Sequence, residues 1–260
     1  MLKLYSLISG SSGNCTVVSD GKVHIMVDCG TSGKRASEAL YNIGIDPSAI
    51  SAILVTHEHS DHIKGVGILA RRLGVPVYAT RGTHAAMGIG SIKDEQIRFV
   101  SPDTPIDIAG IEATPFSIPH DAADPCCYSF SDGTDKVTIA TDIGYMPDSL
   151  ISRLIGSRSI LLESNHDIDM LRFGPYPYPL QRRILGRHGH MSNILASETA
   201  LELVKSGTEH IMLGHLSDKN NLPEIAMMET FNRLTDNGVN VGHDMTLQVA
   251  ARYEITKMDG

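Results

Sequence analysis

Between His57 and His62 the chain reads His-Glu-His-Ser-Asp-His, directly after the apolar run Ala52-Ile53-Leu54-Val55-Thr56. A short apolar run bounded by polar residues has the character of a buried strand. Three imidazoles and an aspartate are therefore concentrated on the turn where a strand runs out. Imidazole and carboxylate are the ligand types of divalent transition metals: two His at i and i+2 on a turning loop reach one ion, while Asp61 and His62 turn toward a second. The bland reading is a solvated polar loop, since His, Glu, Ser and Asp are all at home on a surface. Context favours the metal, because Ile63 to Leu73 is spaced as a helix with Gly74 as its stop, the strand-turn-helix setting such a motif demands.

At 260 residues, 42% hydrophobic and 20% charged, the chain has the composition of a soluble globular protein able to bury a core. No apolar run approaches the ~20 residues of a membrane span, and Leu4 to Ile8, broken by Ser6, is too short for a signal peptide's apolar region. The expectation is a cytoplasmic protein. Cys15, Cys29, Cys126 and Cys127 show neither a disulfide framework nor the paired spacing of a structural zinc site. The formal charge of −8 argues against an all-basic nucleic-acid surface. Its distribution is uneven: from Ile151 to His190 six Arg face three acids, +3 locally. Such a stretch suits a polyanion held in one place, or equally Arg side chains facing water from helices.

Periodicity predicts strands over Leu2 to Ile8, Cys15 to Val18, Val23 to Val27, Ile50 to Val55 and Val75 to Ala79, with a helix over Lys34 to Ile43 and a short one at best within Thr80 to Gly90. Strands and turns fill Ile97 to Ala140. Further on, helices are expected over Pro147 to Ile155, Leu180 to Arg187, Ser192 to Lys205 and Leu222 to Asn237, and strands over Ser159 to Leu162, Glu209 to Leu213, Thr246 to Val249 and Tyr253 to Ile255. Tyr176-Pro177-Tyr178-Pro179 should be extended, because a residue before proline is pushed out of the helical region. Ser9-Gly10-Ser11-Ser12-Gly13-Asn14 reads first as a hairpin loop and second as a cradle of N–H groups for an anion.

Twelve His is a high count, and position sorts them. His57, His59, His120, Asp142 and His215 each follow an apolar run with strand periodicity, and residues at successive strand ends converge above one sheet edge. His24, His84, His210 and His243 lack that placement and are read as structural. Asp28, at a strand end before Gly30, is placed to orient a neighbouring loop.

With these residues in view the chain resembles a metallo-β-lactamase-fold hydrolase. The pattern HxHxDH is His57-x-His59-x-Asp61-His62, followed in order by His120, Asp142 and His215, with Asp28 as the earlier strand-end Asp. The resemblance implies an α/β fold, a four-layer αββα sandwich of a single domain over 1–260 whose halves meet near 136. It also implies two divalent metal ions: one held by His57, His59 and His120, the other by Asp61, His62 and His215, with Asp142 bridging. Zinc and manganese suit such ligands, as does iron. Asp at 142, where β-lactamases proper carry Cys, favours an oxygen-bridged pair able to clamp a phosphodiester.

The second half is similar to the tRNA 3′-processing branch in having a Glu after a strand, Glu163, and a His before a helix, His190. In that pattern the His protonates the leaving oxygen and the Glu orients it; helix capping is the plainer role for His190. The long tRNA-gripping arm of that branch has no counterpart. SGSSGN, THEHSDH, GHMSN at 189 to 193 and the run from Gly214 to Glu224 are together similar to the bacterial YycJ/WalJ group, which implies a DNA exonuclease working from the 5′ end. The expected catalytic residues are Asp61, Glu163 and His190. Asn165, His166, His188, Ser192 and Asn193 are expected phosphate contacts, against ordinary loop hydrogen bonding. Rival expectations are a small-molecule hydrolase, of a cyclic phosphodiester or a thioester, and a regulatory module of cell-wall signalling that keeps metal for structure.

Overall fold

The computed structural model describes residues 1–258. In chain order the elements are β1 (Lys3–Ile8), β2 (Cys15–Ser19), β3 (His24–Val27), α1 (Gly33–Asn42), β4 (Ile50–Leu54), α2 (Ser60–Ile63), α3 (Val66–Leu73), β5 (Val77–Ala79), α4 (Arg81–Ala86) and β6 (Ile97–Phe99). The chain continues through β7 (Ile106–Ile108), β8 (Ile111–Ser117), β9 (Cys126–Ser131), β10 (Lys136–Ala140), α5 (Asp148–Leu154), β11 (Ser159–Glu163), α6 (Ile168–Phe173) and α7 (Tyr178–Ile184). It closes with α8 (Asn193–Lys205), β12 (His210–Gly214), α9 (Pro223–Asp236), β13 (Thr246–Val249) and β14 (Thr256–Met258).

Two seven-stranded sheets result, ordered β14-β1-β2-β3-β4-β5-β6 and β13-β12-β11-β10-β9-β8-β7. Each is antiparallel at one side and parallel at the other, with β3 to β6 and β10 to β13 forming the parallel parts. The chain changes sheet between Phe99 and Ile106, and residue 136 opens β10 in the middle of the second sheet.

Three apolar clusters fill the spaces between layers. Leu4, Val18, Ile25 and Leu54 of one sheet meet Ile111, Tyr128, Phe130 and Leu161 of the other in a shared core. Tyr128 Oη donates to Val55 O across it at 3.0 Å. A second cluster packs α1 and α3 on the outer face of the first sheet, through Ala36, Leu40, Val66 and Leu69. A third packs α5, α8 and α9 on the second sheet, through Leu154, Ala200, Leu203 and Leu234. The order is helix, sheet, sheet, helix, as each sheet has two apolar faces to cover.

Several expected boundaries move. The helix expected over Ile63 to Leu73 is two, α2 and α3, broken at Lys64-Gly65. There Gly65 N donates to Cys29 O at 2.7 Å, and a Cβ on Gly65 would lie 2.4 Å from Thr31 O, so the Cys29–Thr31 loop occupies the space a continuous helix would need. Tyr178 and Pro179 are not extended but open α7. Pro177, with ψ 147, is the cap, and proline is tolerated in a first turn because its missing N–H has no helical partner there. The closing strand is Thr256–Met258, pairing β1, rather than Tyr253 to Ile255. Helix α6 was not expected; Asp167 caps it, accepting from Met170 N at 2.8 Å.

Candidate metal centre

Asp28, Thr56, Asp142, Glu163 and His215 all lie at the carboxyl ends of parallel strands, the edge where ligands gather in such sheets. Strand β8 is antiparallel to β9, which is antiparallel to β10, so β8 runs with β10 and delivers His120 to the same edge. Ser60 begins α2, so His57 and His59 lie on the turn and Asp61 and His62 within the first helical residues. Glu58 between them faces elsewhere, accepting from Ala123 N at 2.8 Å.

The seven side chains expected to be ligands converge. The ligand atoms of His57, His59 and His120 lie within 4.8 Å of one another, as do those of His57, His62 and Asp142, and those of Asp61, His62 and His215. His120 Nε2 is 3.3 Å from His59 Nδ1, and His62 Nε2 is 3.4 Å from Asp142 Oδ2. His215 Nε2 is 3.5 Å from Asp142 Oδ1 and 3.7 Å from Asp61 Oδ2.

Four of these imidazoles are held by their outer nitrogen. His62 Nδ1 lies 2.8 Å from Asp28 Oδ2, and His57 Nδ1 lies 3.0 Å from Thr56 Oγ1. His215 Nδ1 lies 2.8 Å from Glu163 Oε1, and His120 Nδ1 lies 3.2 Å from Gly189 O. An Nδ1–H donated outward leaves Nε2 with a lone pair facing the centre, the arrangement that orients metal-binding histidines. Asp28 is itself braced, accepting from Thr56 N and Thr56 Oγ1 at 2.9 and 2.8 Å.

Whether a cation fits can be judged from atoms left over. His57 Nε2, Asp142 Oδ2 and His215 Nε2 are buried with no hydrogen-bond partner although polar neighbours are close. Buried polar atoms left without a partner cost free energy, and a cation at the centre would satisfy them. Electrostatics agree. Burial opposes the charged form of His62, yet Asp142, Asp28 and Asp61 raise its pKa to about 9. His215 is likewise raised against burial, by Asp142, Asp61 and Glu163. Burial and four neighbouring imidazoles depress His57 instead. The centre carries an excess of carboxylate charge that a divalent cation would neutralise, and its imidazole and carboxylate donors fit one.

Glu163, fully buried, links the centre to His190. Its Oε1 is 2.8 Å from both His190 Nδ1 and His215 Nδ1, and its Oε2 accepts from Ile143 N at 2.7 Å and Met191 N at 3.2 Å. Burial opposes its ionised form, but His190 and His215 hold the carboxyl well below its usual range. His190 is 3.7 Å from Asp142 Oδ1 and only partly buried, so its ring meets both centre and solvent.

The five residues expected to touch phosphate divide. Asn165, His166 and Asn193 are buried, 2%, 1% and 2% exposed. Asn193 spends its amide on Asn221 and Ser164, and Asn165 donates to His215 O at 2.8 Å. Both side chains thereby brace the loops behind the centre. His166 has no hydrogen bond on either ring nitrogen, and burial lowers its pKa to about 4. Ser192 caps α8, accepting from Leu195 N at 3.2 Å. His188 alone among the five is exposed.

Sequence reasoning read the 9–14 loop as a turn or an anion cradle, not as a support for the histidines. Asn14 Nδ2 is 3.1 Å from His62 Nε2, and Ser9 Oγ accepts from His215 N at 2.9 Å. The Gly/Ser run was visible, but a turn explained it equally well. His24, His84, His210 and His243 each bond to a neighbour remote from the centre.

Comparison with known proteins places this geometry. The chain is 41% identical over 239 residues to a protein named Exodeoxyribonuclease YycJ from Bacillus anthracis, covering 91% of this chain and 90% of that one. It is 37% identical over 245 residues to Exodeoxyribonuclease WalJ of Streptococcus pneumoniae, covering 92% and 91%. Among solved structures, the metallo-β-lactamase fold protein YhfI from Bacillus subtilis superposes with a TM-score of 0.73 at 18% identity over 99% of both chains. A diphosphatase of the PhnP family superposes with a TM-score of 0.69 at 19% identity over 100% and 98%. The model of the metallo-β-lactamase superfamily matches residues 8–215. With the histidine and aspartate centre at that fold's sheet edge, the chain belongs to the metallo-β-lactamase superfamily.

Proposed function

We propose that the chain is a dinuclear phosphodiesterase of one domain that shortens DNA from the 5′ end. The observation that carries the proposal is Glu163, which holds His190 and His215 through the same oxygen and so sets a protonatable imidazole beside the ligand cluster. The names of the two relatives supply the substrate class, DNA. In this reading His57, His59 and His120 hold one zinc or manganese ion, Asp61, His62 and His215 hold a second, and Asp142 serves both. When bound, such cations polarise a phosphate and make a water-derived nucleophile available near neutral pH.

The chain's own residues do the rest. Asp61, partly exposed at the mouth, accepts a hydrogen bond from the incoming nucleophile and orients it. His190 passes a proton to the departing sugar oxygen, and Glu163 aims the ring. Thr56, Asp28 and Asn165 keep the surrounding rings and loops from rotating.

The test is metal-stripped protein refilled with Mn²⁺ or Zn²⁺ and offered 5′-phosphorylated end-labelled DNA, a chromogenic phosphodiester and a thioester. Stepwise loss of 5′ nucleotides supports the reading. Turnover of the small esters with intact DNA would replace it with a small-molecule hydrolase.

A further inference from the structure

We propose that the stretch between β11 and α8 forms a grip for an unpaired polynucleotide strand, its bases stacking on Phe173 and Tyr178 and its phosphates meeting Arg172, Arg182 and Arg187. This rests on the nuclease reading. Both ends of the stretch lie in the candidate centre: it leaves from Glu163 and returns through His188 to His190. The return is pinned, since His188 O accepts from Asp121 N, His190 N donates to Ile184 O, and Arg183 pairs with Asp121 beside His120. A Cβ on Gly144 would lie 2.3 Å from Arg187 O, so this segment packs directly against the loop that carries Asp142.

The segment presents aromatic rings and arginines outward. Phe173 is 86% exposed and Tyr178 69%. Arg182 lies over the Tyr178 ring at 5.9 Å and Arg187 over Tyr145 at 4.1 Å, so cations and aromatic faces are interleaved. Among the described residues no carboxylate lies within ion-pairing distance of Arg172, Arg182 or Arg187, although acidic side chains outnumber basic ones, 30 to 22, over the whole chain. Pro175 and Pro177 stiffen the connection between α6 and α7, whose facing ends carry Phe173 and Tyr178. Exposed rings with unpaired guanidinium groups suit a single strand, whose unstacked bases offer π-faces and whose phosphates carry the charge. A duplex keeps its bases stacked and would leave both rings bare.

The experiment compares the wild-type holoenzyme with Phe173→Ala/Tyr178→Ala and Arg172→Glu/Arg182→Glu. Binding of a fluorescent oligodeoxynucleotide is read by anisotropy in Ca²⁺, and thermal unfolding checks the fold. Each aromatic removed should weaken binding about tenfold, and losing two phosphate contacts should flatten the slope of log K against log salt by about 1.4. Equal binding by folded variants overturns the grip, even where the wild type degrades DNA. Binding that depends on these residues in a wild type that cleaves no DNA keeps the grip and removes the nuclease reading. Weakening confined to duplex DNA overturns the assignment to an unpaired strand.

Discussion

Asp28, Asp142 and His215 share a backbone feature as well as a neighbourhood: their φ values are 58°, 62° and 56°. Left-handed backbone at a residue other than glycine costs of order 1–3 kcal/mol and persists where the surroundings over-determine it. Here each strand end bends sharply, and the side chain is turned from the sheet into the centre, so stability is exchanged for side-chain direction. His190 has no such constraint and hangs from Glu163 by one hydrogen bond. His190→Ala should therefore lower kcat by about 10²- to 10⁴-fold, the usual worth of a positioned acid, while metal content measured by mass spectrometry stays at the wild-type level. Metal falling in step with activity would instead mark His190 as a ligand.

At the scale of elements, the Ser192 hydroxyl and the Asn193–Asn221 amide pair seat the first turn of α8 behind His190. Ser192→Ala removes a cap worth about 1 kcal/mol, so urea unfolding should show that loss with KM for DNA unchanged. A raised KM with undiminished stability would make Ser192 a substrate contact. The same scale shows which boundaries periodicity could carry. Strands β4, β11 and β12 are buried on both faces and read as apolar runs. Helix α6 rests on a cap and a single buried leucine, Leu171, too little for periodicity to detect. The break between α2 and α3 depends on a loop 34 positions away in sequence, from Cys29 to Thr31, which no local pattern carries.

For the whole molecule, the centre draws residues from both sheets, so a cation there ties one half of the chain to the other. Ligand binding to the folded state alone adds about 2.7 kcal/mol at a hundredfold excess over Kd. Dialysis against a chelator should therefore lower Tm by roughly 5–10 °C in a chain this size, and Zn²⁺ or Mn²⁺ should restore it. An unchanged Tm in protein shown to have lost its metal would mean the centre adds nothing to stability. The interface between sheets gives a second support: Phe130→Ala should cost about 3–5 kcal/mol, because the ring is fully buried in the core both sheets share.

His57, His59, His120, Asp142 and His215 were legible in the chain because each follows an apolar run, a local property of hydrophobic periodicity, whereas Asp61 and His62 were legible through the HxHxDH pattern they share with His57 and His59. Glu163 and His190 could be named from their flanking motifs, but not the single oxygen that joins His190 to His215, since that contact crosses 52 positions to His215. Nor could the sequence reveal that Asn14 meets His62, that Asn193 is spent within the fold, or that the Arg residues after β11 stand beside bare rings. Residue type and local spacing determine which side chains can bind a cation or a phosphate. Which nitrogen faces inward, which amide is already satisfied and which ring is left uncovered depend on partners brought close only when the two sheets pack, and that packing decided them.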